Sequence, residues 1–374
     1  MKKSMTIGIP KEIKNHEYRV GATPAMVRAF VENGHRVFVQ NAAGTKIGFE
    51  DADYAAAGAT MVKTAAEVYK NDMIIKVKEL QESEFPLLHR EQILFCYLHL
   101  APDPIQTKHL IDSGVVAIAY ETVTDAQGRL PLLYPMSEIA GRIAIQVGAA
   151  SLQMINGGKG VLLGGVPGVA PARVVVIGGG VVGTEAARMA IGLGADVTIL
   201  DKDINRLRTL DALFGPRLKT LYSTSFSIEE AVTQADLVIG AVLVPGKKAP
   251  RLITHKMVKK MSHGSVIVDV AIDQGGCSET SKPTTHDDPY YVVDGVVHYC
   301  VTNMPGACAR SATQALTNAT MDYALTIANK GYKRALKENV HLREGLNVCL
   351  GHVTYAPVAH DLELAYSPAE SFLE

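Results

Sequence analysis

The chain has 374 residues, of which 47% are hydrophobic and 20% charged, and its formal net charge at pH 7 is −1. This composition is typical of a soluble globular protein that is long enough for two domains. A nearly neutral chain without a basic cluster provides no general electrostatic attraction for nucleic acid or for an anionic membrane. We therefore expect small molecules or further copies of the chain as partners, and neither nucleic acid nor a membrane.

The N-terminal segment and the cysteines favour a cytoplasmic protein. Two lysines precede a short apolar run at residues 5–10 that has no cleavage site of small residues, so no secretory signal is predicted. The longest apolar region, residues 160–183, is interrupted by prolines and glycines, which is typical of a loop and a buried strand rather than a membrane helix. The five cysteines are scattered and show no disulfide framework, which fits a reducing compartment.

The first third of the chain alternates apolar runs with amphipathic segments. Strands are predicted at residues 6–9, 36–39, 73–77, 93–98 and 115–119. Helices are predicted after Thr23 and after Asp103, where a capping residue precedes a proline. This βα alternation predicts a parallel, doubly wound sheet. Because it carries no glycine fingerprint, we expect a domain that binds no dinucleotide of its own.

A change of composition at residues 125–131 predicts the crossover into a second domain. Ser137 is the predicted N-cap of a long helix with apolar residues at helical spacing. The glycine-rich connector at residues 157–172 then leads into the next strand.

The stretch from Val174 to Asp201 is the centre of this second domain. After a short apolar strand, Gly178, Gly180 and Gly183 follow at G-x-G-x-x-G spacing before a helical pattern. The first glycine allows a tight turn, the second lets the backbone approach a pyrophosphate, and the third lets the helix pack on the strand. The next strand ends in Asp201, whose carboxylate can accept hydrogen bonds from ribose hydroxyl groups and repels a 2′-phosphate. NAD is therefore the expected cofactor, and the alternative is a structural glycine turn without a ligand.

The alternation of strands and helices continues beyond Asp201. Further strands are predicted at residues 219–222, 237–242, 266–270 and 297–301, and further helices from Asp203, Ser227 and Thr254. A long helix over residues 311–329 is expected to return to the first domain, and no strand is predicted in the polar tail.

These elements predict an α/β fold of two doubly wound parallel-sheet, Rossmann-like domains with an interdomain cleft. The substrate domain is predicted to comprise residues 1–130 and 308–374, and the NAD-binding domain residues 131–307.

Polar side chains follow the carboxyl ends of several predicted strands, where ligands bind in open parallel α/β sheets. Arg19, Lys78 and His99 do so in the first domain, and Asp273 and Asn303 do so in the second. We expect a ligand cleft lined by both domains.

Each of these side chains has a chemistry suited to a small acid substrate. The guanidinium of Arg19 can bind a carboxylate, and Lys78 can hold a carboxylate or polarise a carbonyl oxygen. His99 can transfer a proton near neutral pH, and Asp273 supplies negative charge beside the expected nicotinamide. Together they favour hydride transfer involving a 2-oxo acid or an imine. The histidine spacing fits no metal site, so no metal is expected.

Structural roles remain as alternatives at these positions. Arg19 can be a surface arginine, His99 a structural histidine and Asp273 the cap of a turn. Lys76 is an equal candidate for the role assigned to Lys78.

Blocks of sequence along essentially the whole chain resemble the bacterial L-alanine dehydrogenases. The blocks are IGIPKEIKNHEYRVGATP, KVKE, ILFCYLHLA, PMSEIAGRIAIQVGA, LLGGVPGVAPARVVVIGGGVVG, ADLVIGAVLVPGKKAPRLI, VIVDVAIDQGGC, TNMPGA and ALTNATMDYA. The resemblance implies reversible, NAD-dependent oxidative deamination of L-alanine to pyruvate and ammonia by a homohexamer.

The resemblance also implies roles for individual residues. Arg19 and Lys78 match substrate-binding positions, and His99 and Asp273 match the catalytic pair. Together with the glycine fingerprint, the implied cofactor-binding positions are Ser137, Gly178, Gly179, Gly180, Gly183, Asp201, Arg206, Ser223, Val242, Leu243, Val270, Ala271, Ile272, Asp273, Lys282, Val301, Thr302, Asn303 and Met304.

The chain departs from the family pattern at one point, and its motifs favour the dehydrogenase over two rival functions. Where the family commonly has a Val-Pro pair, this chain has Cys308 and Ala309, so the following helix is expected to begin differently. The nucleotide-binding subunit of proton-translocating transhydrogenase shares the R-V-x-x-T-P pattern, but Lys78, His99 and the IDQGGC block favour the dehydrogenase. A non-catalytic NAD sensor is expected to lack one or more of the polar cleft residues, and none is missing.

Overall fold

The computed structural model describes residues 4–242 and 249–374. The chain divides into two compact units, Met1–Pro135 with Cys308–Glu374, and Met136–Ala307. Within the described residues the first unit is built on an eight-stranded sheet and the second on a seven-stranded sheet. No helix of these residues is long and apolar enough to cross a membrane. Leu243, a predicted cofactor contact, lies outside the described residues.

Strands and helices alternate along most of the chain. The N-terminal part of the first unit contains β1 Thr6–Ile9, α1 Pro24–Glu32, β2 Arg36–Gln40, α2 Asp51–Ala56, β3 Thr60–Val62, α3 Ala65–Val68, β4 Met73–Ile75, β5 Ile93–Cys96, α4 Pro104–Ser113 and β6 Val116–Ala119. The second unit contains α5 Tyr134–Ser151, β7 Arg173–Ile177, α6 Val181–Gly192, β8 Asp196–Asp201, α7 Ile204–Phe214, β9 Leu218–Tyr222, α8 Ser225–Gln234, β10 Leu237–Gly240, α9 His255–Lys260, β11 Val266–Asp269, β12 Tyr290–Val293 and β13 Val296–Tyr299. The C-terminal part of the first unit contains α10 Ala309–Lys330, α11 Tyr332–Glu338, α12 Val340–Arg343, β14 Leu346–Cys349, β15 His352–Val353 and α13 Ala356–Asp361.

The first sheet has the order β15-β14-β6-β5-β4-β1-β2-β3. It is parallel from β6 to β3, and β14 and β15 add an antiparallel edge. The prediction of a tail without strands is therefore wrong. The short strand β14 was not predicted because Asn347 interrupts its apolar run. Asn347 is nevertheless buried, and its side-chain amide donates to Thr122 Oγ1 at 2.8 Å.

The second sheet has the order β12-β13-β11-β10-β7-β8-β9. All its neighbouring strands are parallel except the β12–β13 hairpin. At its centre, Val174 to Ile177 of β7 are buried, as expected for a parallel strand covered on both faces. The predicted α/β fold with two Rossmann-like sheets is confirmed, with antiparallel edges as the addition.

Several strands end before the apolar runs that predicted them. β4 ends at Ile75, β5 at Cys96 and β10 at Gly240, each two residues earlier than predicted. The apolar run continues because Val77 and Leu98 are still fully buried. Their amides donate to side-chain carboxylates instead, Val77 to Glu12 and Leu98 to Glu121. At the ends of β4 and β5, side chains therefore remain buried beyond the last residue of the strand. The predicted strand over 297–301 is also displaced, because β13 ends at Tyr299.

Side-chain caps define most helix starts. Thr23, Asp103, Asp203 and Thr254 each accept a hydrogen bond from the first turn of the predicted helix. Ser137 is not an N-cap, because α5 already begins at Tyr134 with Pro135 in its first turn, where proline is tolerated.

Two other helices also begin earlier than predicted. Thr224, rather than Ser227, caps α8, and Ser227 is its partner in a capping box. α10 begins at Ala309 and not at Ser311, and Cys308 provides no side-chain cap.

Candidate functional site

The turn between β7 and α6 has the geometry that its glycine spacing predicts. Gly178 has φ +101°, a conformation that favours glycine. A Cβ atom on Gly183 would lie 1.8 Å from the carbonyl oxygen of Gly178, so only glycine allows this close packing. A Cβ atom on Gly180 would meet nothing within 4 Å. Open space therefore lies beside Gly180, where a pyrophosphate is expected to approach.

These two glycines make a matched pair of test variants. Gly183→Ala is expected to displace the turn, because its Cβ clashes with the carbonyl oxygen of Gly178. The free energy of unfolding is expected to fall by about 3 kcal/mol or more, the upper end for an overpacked site. Gly180→Ala is expected to keep wild-type stability and to weaken NADH binding, because its methyl group fills the open space. Thermal unfolding and NADH fluorescence titration measure the two effects. Equal stability of both variants would contradict this account of the turn.

Asp201 ends β8 and is anchored to the glycine turn. Its Oδ2 accepts the Gly179 amide at 2.6 Å, and its Oδ1 accepts the Asp203 amide at 2.8 Å. Each carboxylate oxygen retains a further lone pair that can accept a hydrogen bond from a ribose hydroxyl group. Arg206 braces the same turn from α7 by donating to the carbonyl of Gly179 and to the hydroxyl of Thr184.

Two other predicted cofactor contacts, Ser223 and Val242, follow the carboxyl ends of β9 and β10, and Ser137 lies on α5. The Ser223 amide donates to the carbonyl of Asp201 at 2.9 Å. Val242 follows β10, and its amide nitrogen would lie 3.1 Å from a Cβ atom on Gly178. Ser137 stands one turn before Gly141, whose missing Cβ lets α5 approach α6.

A buried carboxylate that sequence reasoning missed fixes the loop after β11. Asp269 accepts the amides of Ala271 at 3.1 Å and Cys277 at 2.8 Å, and the Ser281 hydroxyl at 2.6 Å. The loop begins with the 3₁₀ turn Val270–Gln274, which contains the predicted contacts Val270, Ala271, Ile272 and Asp273. Asp273 is exposed on this turn, whereas Ala271 and Ile272 are buried. The only sequence signal for Asp269 was an acidic residue at the end of an apolar strand.

The remaining predicted contacts lie near and after β13. The Lys282 amide donates to the Tyr291 hydroxyl at 2.8 Å, and its ammonium lies 4.5 Å from that ring centroid. Val301 is buried, Thr302 donates to the carbonyl of Thr284, and Met304 opens a 3₁₀ turn. Asn303 has φ +60°, an uncommon conformation for a residue other than glycine.

In the first unit, Arg19 is buried rather than exposed at the surface. Its Nε and Nη2 donate to Glu17 at 2.7 and 2.6 Å in a bidentate pair. Burial alone would raise the pKa of Glu17, but the hydrogen bonds and the charge of Arg19 hold this pKa below its usual range. Glu17, another residue that sequence reasoning missed, therefore fixes the orientation of the guanidinium. A cavity of about 240 Å³ lies beside Arg19 and is lined by residues 11–19 with Ala42, Ala43 and Lys46.

The structure distinguishes Lys78 from Lys76. The Lys76 ammonium is fully buried, 2.9 Å from Glu84 and 3.3 Å from Glu12. Lys78 is half-buried, and burial and then the positive charge of Arg19 lower the pKa of its amine. Because the Lys76 ammonium is already paired with two carboxylates in the core, Lys78 is the better candidate for binding a substrate.

His99 is exposed at the end of the segment that follows β5, and its backbone has φ +50°. Its amide donates to Glu121 at 2.7 Å, and the same carboxylate accepts the Leu98 amide at 3.1 Å. Glu121 therefore stabilises a backbone conformation that a histidine seldom adopts. The imidazole stacks on Tyr97 with ring centroids 6.1 Å apart.

Arg19, Lys78 and His99 follow β1, β4 and β5, which are adjacent parallel strands, so the three form a group of residues at the same edge of the first sheet. The charge of Arg19 acts on Lys78 and also opposes the burial that raises the pKa of Tyr97, and Tyr97 stacks on His99. Such a group can bind a carboxylate through its cations and move a proton through the imidazole. No group of three or more His, Cys, Asp or Glu within residues 4–242 and 249–374 is placed to hold a metal ion.

Family models match both parts of the chain. The model described as alanine dehydrogenase/PNT, N-terminal domain, matches residues 8–140, and the corresponding C-terminal domain model matches residues 144–356. The chain belongs to the alanine dehydrogenase/PNT family. The resemblance that the sequence blocks carry is thereby confirmed.

Known proteins are similar to this chain over almost its full length. An alanine dehydrogenase of Halomonas elongata is 58% identical, covering 99% of this chain and 100% of the relative. A solved L-alanine dehydrogenase structure has a TM-score of 0.94 and 53% identity, covering 96% of this chain and 99% of its own. A solved transhydrogenase from Sinorhizobium meliloti has a TM-score of 0.82 at 24% identity, covering 93% of this chain and 99% of its own, a likeness of fold alone.

Proposed function

We propose that this family member is an NAD-dependent L-alanine dehydrogenase, which catalyses the reversible oxidative deamination of L-alanine to pyruvate and ammonia in the cytoplasm. The observation that carries this proposal is that Arg19, Lys78 and His99, two cations and an exposed imidazole, follow adjacent parallel strands at one edge of the first sheet. The full-length similarity to proteins named alanine dehydrogenase supports the choice of substrate.

In this proposal, Arg19 and Lys78 bind the substrate and His99 moves the proton. The guanidinium of Arg19, oriented by Glu17, binds the carboxylate of L-alanine. Lys78 stabilises the oxygen that develops when water adds to the iminium product. The imidazole of His99 shuttles the proton that lets ammonia leave, and Asp273 provides negative charge close to the positively charged amine.

The residues of the second unit fit the proposed cofactor. Gly180 leaves open the space that a side chain would fill, and Asp201 presents carboxylate oxygens beside the same turn. When bound, NAD accepts the hydride from the Cα atom of alanine. The residues proposed to hold it are Ser137, Gly178, Gly179, Gly180, Gly183, Asp201, Arg206, Ser223, Val242, Leu243, Val270, Ala271, Ile272, Asp273, Lys282, Val301, Thr302, Asn303 and Met304.

The absorbance of NADH tests the proposed reaction directly. Pure protein is mixed with L-alanine and NAD at alkaline pH, and D-alanine, L-serine and NADP serve as controls. We expect rapid production of NADH from L-alanine with NAD, and little from D-alanine or with NADP. If NAD binds but no NADH is produced, the dehydrogenase assignment is wrong, and a partner-dependent hydride carrier or an NAD sensor takes its place.

We also propose that the protein assembles as a homohexamer, which the exposed apolar residues of one segment support. Met154, Ile155, Leu162 and Val169 are 74%, 88%, 63% and 63% exposed. Apolar residues grouped in this way mark interaction surfaces in soluble proteins.

Ile155→Asp is expected to dissociate the assembly, because it would bury a carboxylate in an apolar interface. The matched control is Ile105→Asp, which changes a comparably exposed isoleucine on α4 outside this segment. Sedimentation velocity measures the mass of each variant. A wild-type mass for Ile155→Asp would place the interface elsewhere on the chain.

A further inference from the structure

An ion cluster lies in the core of the first unit around Lys76, the residue that follows β4. Glu12, Lys76 and Glu84 have side chains that are 1%, 0% and 3% exposed. Glu84 contacts the Lys76 ammonium at 2.9 Å and accepts the Tyr69 hydroxyl at 2.8 Å. Glu12 faces the same ammonium at 3.3 Å through Oε2, which has no hydrogen bond to any described residue.

The other oxygen of Glu12 binds the backbone that carries Lys78. Oε1 accepts the Val77 amide at 2.6 Å and lies 3.4 Å from the Lys78 amide. Val77 lies two residues after the end of β4 at Ile75, and its carbonyl still accepts a hydrogen bond from the Tyr97 amide at 3.1 Å. A buried side chain therefore holds the Val77 amide directly before Lys78, while the Val77 carbonyl remains paired with the segment after β5.

Glu12 also belongs to the loop that carries Arg19. Farther along that loop, a Cβ atom on Gly21 would lie 2.4 Å from the Ile75 carbonyl and 2.9 Å from Lys76 Cα, so the loop packs directly on the end of β4. The two cations proposed to bind the substrate, Arg19 and Lys78, are thus carried by segments that meet at Gly21 and at Glu12.

Stability alone does not explain this arrangement. A buried ion cluster is often no more stabilising than apolar residues of similar volume, because desolvation offsets the attraction between charges. Burial raises the pKa of Glu12 to about 7, although the charge of Lys76 opposes this shift. Burial thus disfavours the ionised form of Glu12, and yet one of its oxygens accepts hydrogen bonds from two backbone amides. This combination suits a residue that holds the backbone in place.

We propose that Glu12 is a positioning residue for substrate binding, which fixes the backbone of Val77 and Lys78 so that the Lys78 ammonium meets the reacting oxygen of the bound substrate. This inference rests on the role proposed above for Lys78. Glu12 touches neither the substrate nor the cofactor in this role, and it acts through the segment that it binds.

Three variants separate positioning from a general effect of the ion cluster. Glu12→Ala removes the acceptor of the Val77 amide, whereas Glu12→Gln keeps an oxygen acceptor and removes the charge. Glu84→Gln is the matched control, because it removes a negative charge from the same Lys76 but leaves the contacts to Val77 and Lys78 intact.

We expect Glu12→Ala to raise KM for pyruvate about tenfold or more, the effect of losing one buried hydrogen bond. Glu12→Gln and Glu84→Gln are expected to keep KM within about threefold of wild type, and all variants are expected to bind NADH normally. If Glu12→Ala does not fold, Glu12→Asp tests the same contact, because its shorter side chain withdraws from the Val77 amide. A rise in KM for Glu84→Gln equal to that for Glu12→Ala would overturn the proposal.

Amide hydrogen exchange provides a measurement that does not depend on turnover. Loss of the Glu12 acceptor is expected to speed exchange of the Val77 amide about tenfold or more, while Glu84→Gln leaves it unchanged. Wild-type exchange in Glu12→Ala would overturn the proposal even if the enzyme is active. Inactivity of the wild-type protein towards L-alanine would instead overturn the proposed function, and exchange would still decide whether Glu12 holds the backbone.

Discussion

Replacement of His99 by alanine is expected to lower kcat for pyruvate reduction by about 10²–10⁴-fold, the usual contribution of a positioned general acid or base. NADH binding is expected to be unchanged, because every residue proposed to contact the cofactor belongs to the other unit of the chain. Stopped-flow absorbance with saturating pyruvate and ammonia measures the rate, and fluorescence titration measures NADH binding.

His89→Ala is the matched control for this experiment. His89 is an exposed histidine of the same unit that lies before β5 rather than after it. Its replacement is expected to leave kcat within about twofold of wild type, as for most surface substitutions away from a site. Normal turnover by His99→Ala with substrate bound would show that the imidazole transfers no proton.

Arg19→Met is expected to lower the free energy of unfolding by about 3–5 kcal/mol, because it leaves the buried Glu17 carboxylate without its charged partner. It is also expected to abolish measurable binding of pyruvate. The double variant Glu17→Gln/Arg19→Met should recover most of the stability, since neither buried charge remains. Urea unfolding of wild type and both variants measures these differences.

Comparison of the two variants separates structure from function at Arg19. If the double variant is stable and still fails to bind pyruvate, the guanidinium itself binds the substrate. Recovery of binding together with stability would contradict the assigned role.

The pH dependence of stability provides a further check on the Arg19–Glu17 pair. Because Arg19 lowers the pKa of Glu17 in the folded protein, the pair stabilises the fold fully above the ordinary carboxyl value of 4.5. That contribution is lost as the pH falls through the lower folded-state pKa. The stability difference between the wild-type protein and the double variant should therefore change between neutral pH and this acidic range.

The sequence was sufficient for the alternation of strands and helices in most of both units and for the parallel, Rossmann-like character of their sheets. Apolar runs identified β1, β7 and β8, and capping residues such as Thr23 and Asp203 identified helix starts. These signals are local, because one strand or one turn contains all of the residues that produce them. The same locality made Gly178 and Gly183 recognisable from their spacing alone.

The carboxylates that hold the loops could not be identified in this way. Glu121 binds the amide of His99 from 22 positions away, and Glu12 binds that of Val77 from 65 positions away. Such contacts depend on which strands become neighbours, and an acidic residue in a sequence does not indicate whether it will be buried. Strand β14 was missed for a similar reason, since the pairing with β6 is irregular at Asn347 and this buried residue is satisfied by the distant hydroxyl of Thr122.

The hydrogen bond from Gly179 to Asp201 has a consequence for engineering cofactor choice. A designer who seeks a phosphorylated cofactor would remove the negative charge of Asp201 to admit the additional phosphate. A small apolar replacement would also remove the acceptor of the Gly179 amide and release the turn that the pyrophosphate needs. Asparagine, which keeps an oxygen at this position, is therefore the better starting substitution, and the altered selectivity would come from charge alone.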